Sequence, residues 1–323
     1  MRLLPALLVS FWLVATTAAF AELTEDSGQG LQFRVAQLEE QVKALTAALE
    51  EAQEVLQYIR VEAGPINDLV GPHIVFEGAN VHVRSGTGGT DDGCSLAEPN
   101  CPGLTGLGNL ILGYNELEPS QTFPSRPVGR TGSHNLVVGP EHGFTSFGGF
   151  VAGATNAVTG ASSSVSGGRG NVASGLFTSV SGGNRNEASD AHASVSGGWE
   201  NVASGNSASV SGGINNVASG EIASVSGGTF NEAGGEQASV SGGHHNVASA
   251  QFSSVSGGSN NVASGESASV SGGVLNEASS SGASVSGGAL NEASGEWSSV
   301  SGGTDREAPD ENNWAAGSLL EPN

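Results

Sequence analysis

Ser164-Val165-Ser166-Gly167-Gly168-Arg169-Gly170-Asn171-Val172-Ala173-Ser174-Gly175 is a phrase that the chain goes on repeating. Its Ser-Val-Ser-Gly-Gly opening returns at Ser179, Ser194, Ser209, Ser224, Ser239, Ser254, Ser269, Ser284 and Ser299, fifteen residues apart each time and without insertion or deletion. Self-similarity at a short fixed period marks a solenoid, in which each repeat is one coil laid on the last. The expected fold is therefore all-β: a parallel β-roll, or β-solenoid, of fifteen-residue coils.

Aligned coils form columns, and the columns say which way side chains face. Val165, Val180, Val195, Val210, Val225, Val240, Val255, Val270, Val285 and Val300 never vary and are assigned to the interior. Side chains alternate along a strand, so the flanking Ser164 and Ser166 columns point outward. In the second strand the column after the asparagine holds Val172, Glu187, Val202 and Glu232 indiscriminately, which is no closed core. The Asn171 and Ala173 columns on either side of it then face inside.

Asn156, Asn171, Asn186, Asn201, Asn216, Asn231, Asn246, Asn261, Asn276 and Asn291 are expected to stack as a ladder, each amide bonding the coils above and below. A corner position, where asparagine tolerates turn geometry, is the alternative. The Gly167-Gly168 pairs and the Gly175 column supply the corners, with positive φ. Each interior is thin: one Val, one Ala and a small residue from the Ser163/Thr178/Ala193 column. Burying a Val is worth roughly 1.5–3 kcal/mol, while ordering backbone costs about 1–2 kcal/mol per residue. Such a ribbon is expected to pack side by side with sister chains.

The remaining 168 or so residues divide into readable blocks, roughly speaking. Residues 1–21 read as a secretory signal, with Ala19-Phe20-Ala21 as an A-x-A cleavage site and an uncleaved anchor as the lesser reading. Residues 22–63 hold a coiled-coil helix, with apolar residues at Leu31, Val35, Leu38, Val42, Leu45, Leu49, Ala52, Leu56 and Ile59, spaced by four and three. Val with Leu early in the seam favours two strands, and Leu56 with Ile59 favours more. Gly64-Pro65 is read as the helix end. Residues 64–148 form an irregular β region whose Gly-ended segments His73–Gly78, Val81–Gly86, Asn109–Gly113 and Asn135–Gly139 are read as wider first coils. Residues 149–303 are the regular roll and 304–323 a polar C-terminal cap, with Trp314 folded over the last coil.

The composition, with 51 glycines in 323 residues and aromatics at 5%, suits an elongated structure better than a compact enzyme. A formal charge of −22 with Lys43 as the only lysine predicts repulsion of nucleic acid and anionic lipid. Cys94 and Cys101 bracket a short loop and are read as a local disulfide of an exported protein, a reactive pair being the weaker reading.

The repeats Ala-Ser-Val-Ser-Gly-Gly-x-x-Asn-x-Ala-Ser-Gly resemble the heads of trimeric autotransporter adhesins, the YadA-like left-handed parallel β-roll, over residues 149–303. The resemblance implies a trimer of thin rolls that binds host matrix or other surfaces. This chain departs from it in its fifteen-residue period, where about fourteen is usual for the family, and in a coiled coil that precedes the head. Its last residues, ending Leu319-Leu320-Glu321-Pro322-Asn323, do not supply a membrane barrel, so adhesion is expected by analogy of fold. The Asn-x-Val-Ser-Gly phrasing also resembles plant ice-binding β-rolls, which would make the Ser164 and Ser166 columns the working face.

No catalytic constellation, cofactor site or metal site is expected, and the chain is not read as an enzyme. Gly86-Thr87-Gly88-Gly89 lacks the Lys and helix of a phosphate loop. His244-His245 is read as two diverging side chains on one turn, and Asp91-Asp92 as a solvated loop in preference to a calcium ligand. Trp199, Phe230, Phe252 and Trp297 are large apolar residues at predicted corners, suited to packing between chains or to binding a surface. The resulting expectation is an exported, non-enzymatic structural or adhesive protein, secreted or at the cell surface, with the periplasm as the alternative. It self-associates through residues 31–59 and the roll, as a trimer in preference to a dimer, and meets an extracellular surface or glycan. Ice or polysaccharide binding is the alternative function.

Overall fold

The computed structural model describes residues 28–66, 68–96, 103–116 and 129–316. The predicted signal at 1–21 and Cys101 lie outside the described residues. The chain divides into two compact units between His82 and Val83.

In the first unit, helix α1 spans Gly28–Leu56. It stops one heptad position short of Ile59 and well before Gly64-Pro65. Ile59–Glu62, strand β1, pairs antiparallel with His73–Phe76, strand β2, in the register Ile59↔Phe76 to Glu62↔His73. Ile59 lies opposite Phe76 and Val61 opposite Ile74 across this hairpin, and these apolar, β-favouring pairs outweigh continuation of the helical period. Two expectations are corrected here. Gly64-Pro65 does not end the helix, and His73–Gly78 is a hairpin arm, not a first coil.

The second unit is the solenoid. Among the described residues it has a fourteen-stranded sheet that begins at Leu110–Leu112 and ends at Trp314–Ala315, and a twelve-stranded sheet from Gly143–Phe144 to Glu307–Ala308. All strands are parallel and in register, as in Ser179↔Ser194 with Val180↔Val195 and Glu187↔Val202 with Ala188↔Ala203. Leu136, Phe150 and Ser164 pair at a fourteen-residue spacing, and Ser164 with Ser179 at fifteen. The added residue falls at the first corner, where Gly153 alone gives way to Gly167-Gly168. Val81–Gly86 forms no strand. The array also outlasts Gly303: Glu307–Ala308 and Trp314–Ala315 complete a further coil, and Trp314 lies in its strand with Nε1 donating to Ser301 Oγ at 2.8 Å. Backbone pairing needs no Asn or Ser, so the coil persists where the motif does not.

The assigned interior is the observed one. The Val165–Val300 column is at most 1% exposed and the Ala173–Ala308 column 0%. Ser163, Thr178 and Ala193 close the third column, and the Asn156–Asn291 column is also buried. With so little apolar volume, the coils are held largely by main-chain bonds. In one coil, the amides of Ser209, Ser211, Ile214, Val217 and Ser219 donate forward to the next coil, while Asn215 and Ile222 donate back to Trp199 and Asn206 carbonyls.

That reversal explains the corners. Asn215 and Ile222 have φ of 52° and 58°, and the same left-handed geometry recurs at Arg185, Glu200, Phe230, His245, Phe177, His192, Phe252 and Trp297. Turning one peptide over lets its N–H reach the preceding coil. The left-handed state costs a non-glycine residue roughly 1–2 kcal/mol, and a net hydrogen bond of about 0.5–1.5 kcal/mol offsets it. The Gly168 column does take positive φ, 77° at Gly168 itself, but the Gly175 column does not. The second corner turns two residues later, at Phe177 and its equivalents.

The asparagines stack coil on coil, bonding chiefly to backbone, with side-chain amides also donating to the preceding rung at Asn216, Asn231 and Asn261. Asn231 Nδ2 donates to Gly227 O within its coil (2.9 Å) and to Gly243 O of the next (3.0 Å), and Oδ1 accepts the Asn246 amide (3.0 Å). Every rung from Asn171 to Asn291 repeats this. A second short ladder leads into the array: Asn109 Oδ1 accepts the Asn135 amide at 2.8 Å, and Asn135 Oδ1 that of Gly149 at 2.8 Å.

His142 occupies a rung of the main ladder. It is 1% exposed, its Nδ1 accepts the Asn156 amide at 3.2 Å, and its Nε2 lies 3.0 Å from Val138 O. A neutral ring protonated at Nε2 thus reproduces both the acceptor and the i−4 donor of asparagine. Asn115 bonds the His142 backbone from one side, and Arg130 Nε donates to its carbonyl at 3.2 Å. Burial holds the imidazole below its ordinary value near 6.5, against the hydrogen bonds that favour the charged form.

The unfolded chain therefore takes up a proton first, and stability at this end of the array falls as pH drops below about 6.5. The protection of the Asn156 amide, its exchange relative to the intrinsic rate at each pH, is expected to fall between about pH 7.5 and pH 5, and His142→Asn should abolish that change while preserving the fold. Equal pH sensitivity in the variant would remove the histidine as its cause.

Candidate functional site

Three groups of side chains stand apart from the repeating frame. The first is the loop that carries Asp92. Its carboxylate accepts Thr87 Oγ1 at 2.7 Å, Thr105 N at 2.9 Å, Thr105 Oγ1 at 2.7 Å, and Ser85 Oγ. Burial alone would raise its pKa, but hydrogen bonds from Ser133, Ser85, Thr105 and Thr87 outweigh it and hold the carboxyl far below the usual range. The side chain is fully buried, so the expected solvated loop is corrected for Asp92. Hydroxyl residues from distant segments, Ser85 and Thr87 on one and Thr105 on another, converge on it, which no local pattern announces.

This cluster does not make a nucleophile. Ser85 Oγ points to Asp92, while His134 Nε2 accepts the Ser85 amide at 3.1 Å instead of a hydroxyl proton. A general base must reach the proton it removes, and here it is already occupied by backbone. Among the described residues no group of three His, Cys, Asp or Glu side chains is placed to hold a metal ion. Cys94 is buried at 4% exposure.

The second group is a set of aromatic stacks on the corners. Phe230 stacks on His245 at 4.8 Å and 6°, and His244 stands edge-on to His245 at 4.3 Å. The two histidines converge, contrary to the diverging pair expected, because left-handed φ at His245 swings its ring toward the chain. Phe177 stacks on His192 at 5.4 Å. Trp199, Phe230, Phe252 and Trp297 are 50%, 45%, 46% and 59% exposed, as corner residues should be. They do not form one patch. Trp199 and Phe230 lie at the corner before the asparagine, Phe252 and Trp297 at the other, joined there by exposed Ile222 and Leu290 on their respective corners.

The third group is a notch at the first corner. Arg169, Gly170, Asn184, Arg185 and Trp199, from three successive coils, line a cavity of about 170 Å³. Arg185 Nη1 pairs with Glu200 at 2.9 Å. The sequence singled out Trp199 here but not the arginines, whose proximity depends on the fifteen-residue stacking.

The Ser164 column is half-buried and the Ser166 column exposed, as alternation requires. No protein-family model matches the chain, and no curated protein matches it. The β-solenoid is thus established from its own coordinates, and the adhesin-head likeness stands on the repeat alone.

Proposed function

We propose that the chain is an exported, oligomeric, non-enzymatic protein that presents a repetitive β-roll surface for adhesion. The observation that carries this reading is the apolar seam of α1. Leu31, Leu38, Val42, Leu45, Leu49 and Leu56 recur at heptad positions and are 57–71% exposed. A helix with an uncovered seam at this period is completed by copies of itself. Three copies agree with the resemblance to trimeric adhesin heads, and further apolar corners supply sites for chain packing or surface contact. In an oxidising compartment Cys94 and Cys101 pair as a local disulfide.

Light scattering on the purified full chain tests this: about three times the 32.0 kDa chain mass, less any removed leader, is expected. Leu38→Asp with Leu45→Asp should return it to monomer, since buried seam charges are heavily penalised. A monomeric parent protein overturns the reading.

The in-register serine columns, paired as Ser209↔Ser224 and onward, support ice or polysaccharide binding as a second reading. Thermal hysteresis in the purified protein would favour it over adhesion.

A further inference from the structure

We infer that the β1–β2 hairpin is a second contact between copies of this chain, in which the hairpins of sister copies join edge to edge and enclose their apolar faces. This rests on the self-association through α1 proposed above and assigns what the copies do beyond the end of that helix.

The hairpin has two unlike faces. Opposite residues of an antiparallel pair share a face, so Ile59 with Phe76 and Val61 with Ile74 make one face wholly apolar. Val61, Ile74 and Phe76 are 69%, 68% and 51% exposed. The other face carries Arg60, which pairs with Glu62 at 3.0 Å and Glu77 at 3.5 Å, together with His73 and Val75. A lone two-stranded hairpin is marginal in water, and this one leaves its apolar side open.

The backbone points the same way. Glu77 N donates to Tyr58 O at 3.0 Å. Bonded and unbonded pairs alternate along an antiparallel ladder, so Arg60↔Val75 and Glu62↔His73 carry the hairpin's own bonds. The amides of Val61 and Ile74 therefore face the two free edges, each a template for another strand. Because β1 and β2 run in opposite directions, β2 of one copy beside β1 of the next keeps the antiparallel order around a closed ring.

The helix identifies the partner. Ile59 takes the heptad step after Leu56, so the apolar seam of α1 runs directly into the apolar face of the hairpin. With Val35, Val42, Leu49 and Leu56 at a and Leu31, Leu38, Leu45 and Ala52 at d, Arg34 falls at g and Glu39 at the following e. Opposite charges at these two positions meet in a parallel coil, whereas an antiparallel coil sets g against g and e against e. Parallel helices in register bring the hairpins of all copies to the same end, where their apolar faces can turn to a common axis.

The test uses the full chain with p-benzoylphenylalanine in place of Phe76, irradiated and analysed by mass. Cross-links between chains are expected, landing on 59–61 or 74–76 of another copy. The same group in place of Val75, on the outer face, should give about tenfold fewer. In the oligomer, exchange of the Val61 and Ile74 amides should be slowed about a hundredfold or more against their intrinsic rates. Leu38→Asp with Leu45→Asp should abolish that protection by separating the copies. Val61→Asp with Ile74→Asp should abolish the Phe76 cross-link while α1 still holds the oligomer together.

An oligomer whose Phe76 cross-links stay within one chain, or whose Val61 and Ile74 amides exchange at intrinsic rates, overturns the hairpin contact and leaves assembly through α1 standing. A monomer overturns both, and light scattering on the same samples tells the two failures apart.

Discussion

Asn231→Asp should cut the solenoid in its middle. The side chain is fully buried, and its amide donates to the Gly227 and Gly243 carbonyls while its oxygen accepts the Asn246 amide. Aspartate keeps the acceptor and loses both donors, so an oxygen faces two carbonyl oxygens. Each buried group left without its partner costs about 1–3 kcal/mol, and a buried charge adds to that. A loss of about 4 kcal/mol or more is expected in chemical denaturation. Lowering the pH should return part of it, since a buried carboxyl with a raised folded-state pKa regains stability as pH falls through that raised value, the gain being complete below its unfolded value.

Position in the array should matter as much as chemistry. Coils contact only their neighbours, so stability is a sum of local terms along one dimension. Asn291→Asp removes the same bonds, to Gly287 and Gly303, but near the last coil. It should fray that end, whereas Asn231→Asp separates two blocks, visible as a zone of fast amide exchange with protected coils on both sides. A single cooperative transition with an unchanged midpoint would mean that the amides contribute nothing.

Gly228→Ala and Gly227→Ala should have opposite outcomes although the residues are adjacent. Gly228 has φ of 86°, and a methyl group there would overlap the Gly243 carbonyl oxygen of the next coil and the Asn231 amide. Left-handed strain of roughly 1–2 kcal/mol adds to an overpacking cost of about 1–3 kcal/mol. Gly227 has open space around its Cβ position. Alanine there is expected to be neutral or to stabilise by roughly 0.4–1 kcal/mol through the unfolded chain. Thermal unfolding of the pair reads the contrast directly, and similar losses in both would refute close backbone approach as the reason for the second glycine.

The repeat carried most of the architecture openly. An invariant valine flanked by serines can only alternate in and out, and a column that accepts Val and Glu alike exposes its neighbours as the interior. What could not be read locally is what distant residues do for one another. His142 is a lone histidine with no motif, and its identity as a rung emerges only when Asn115, Val138 and Asn156 surround it. Asp92 reads as part of an acidic loop until Ser85, Thr87 and Thr105 close on it. Ile59 keeps the heptad period, yet the partner strand His73–Phe76 claims it.

The sequence by itself determined the coil length, the buried columns and the parallel register, because exact repetition leaves each residue one equivalent neighbour above and below. Only the tertiary structure decided where corners reverse, which histidine joins the ladder, and that two arginines and a tryptophan share one notch. Corner φ angles are set by whether the next coil or the previous one offers a carbonyl, and a missing side chain becomes a cavity only once neighbours wall it. Those are relations between coils, and no single stretch of the chain contains them.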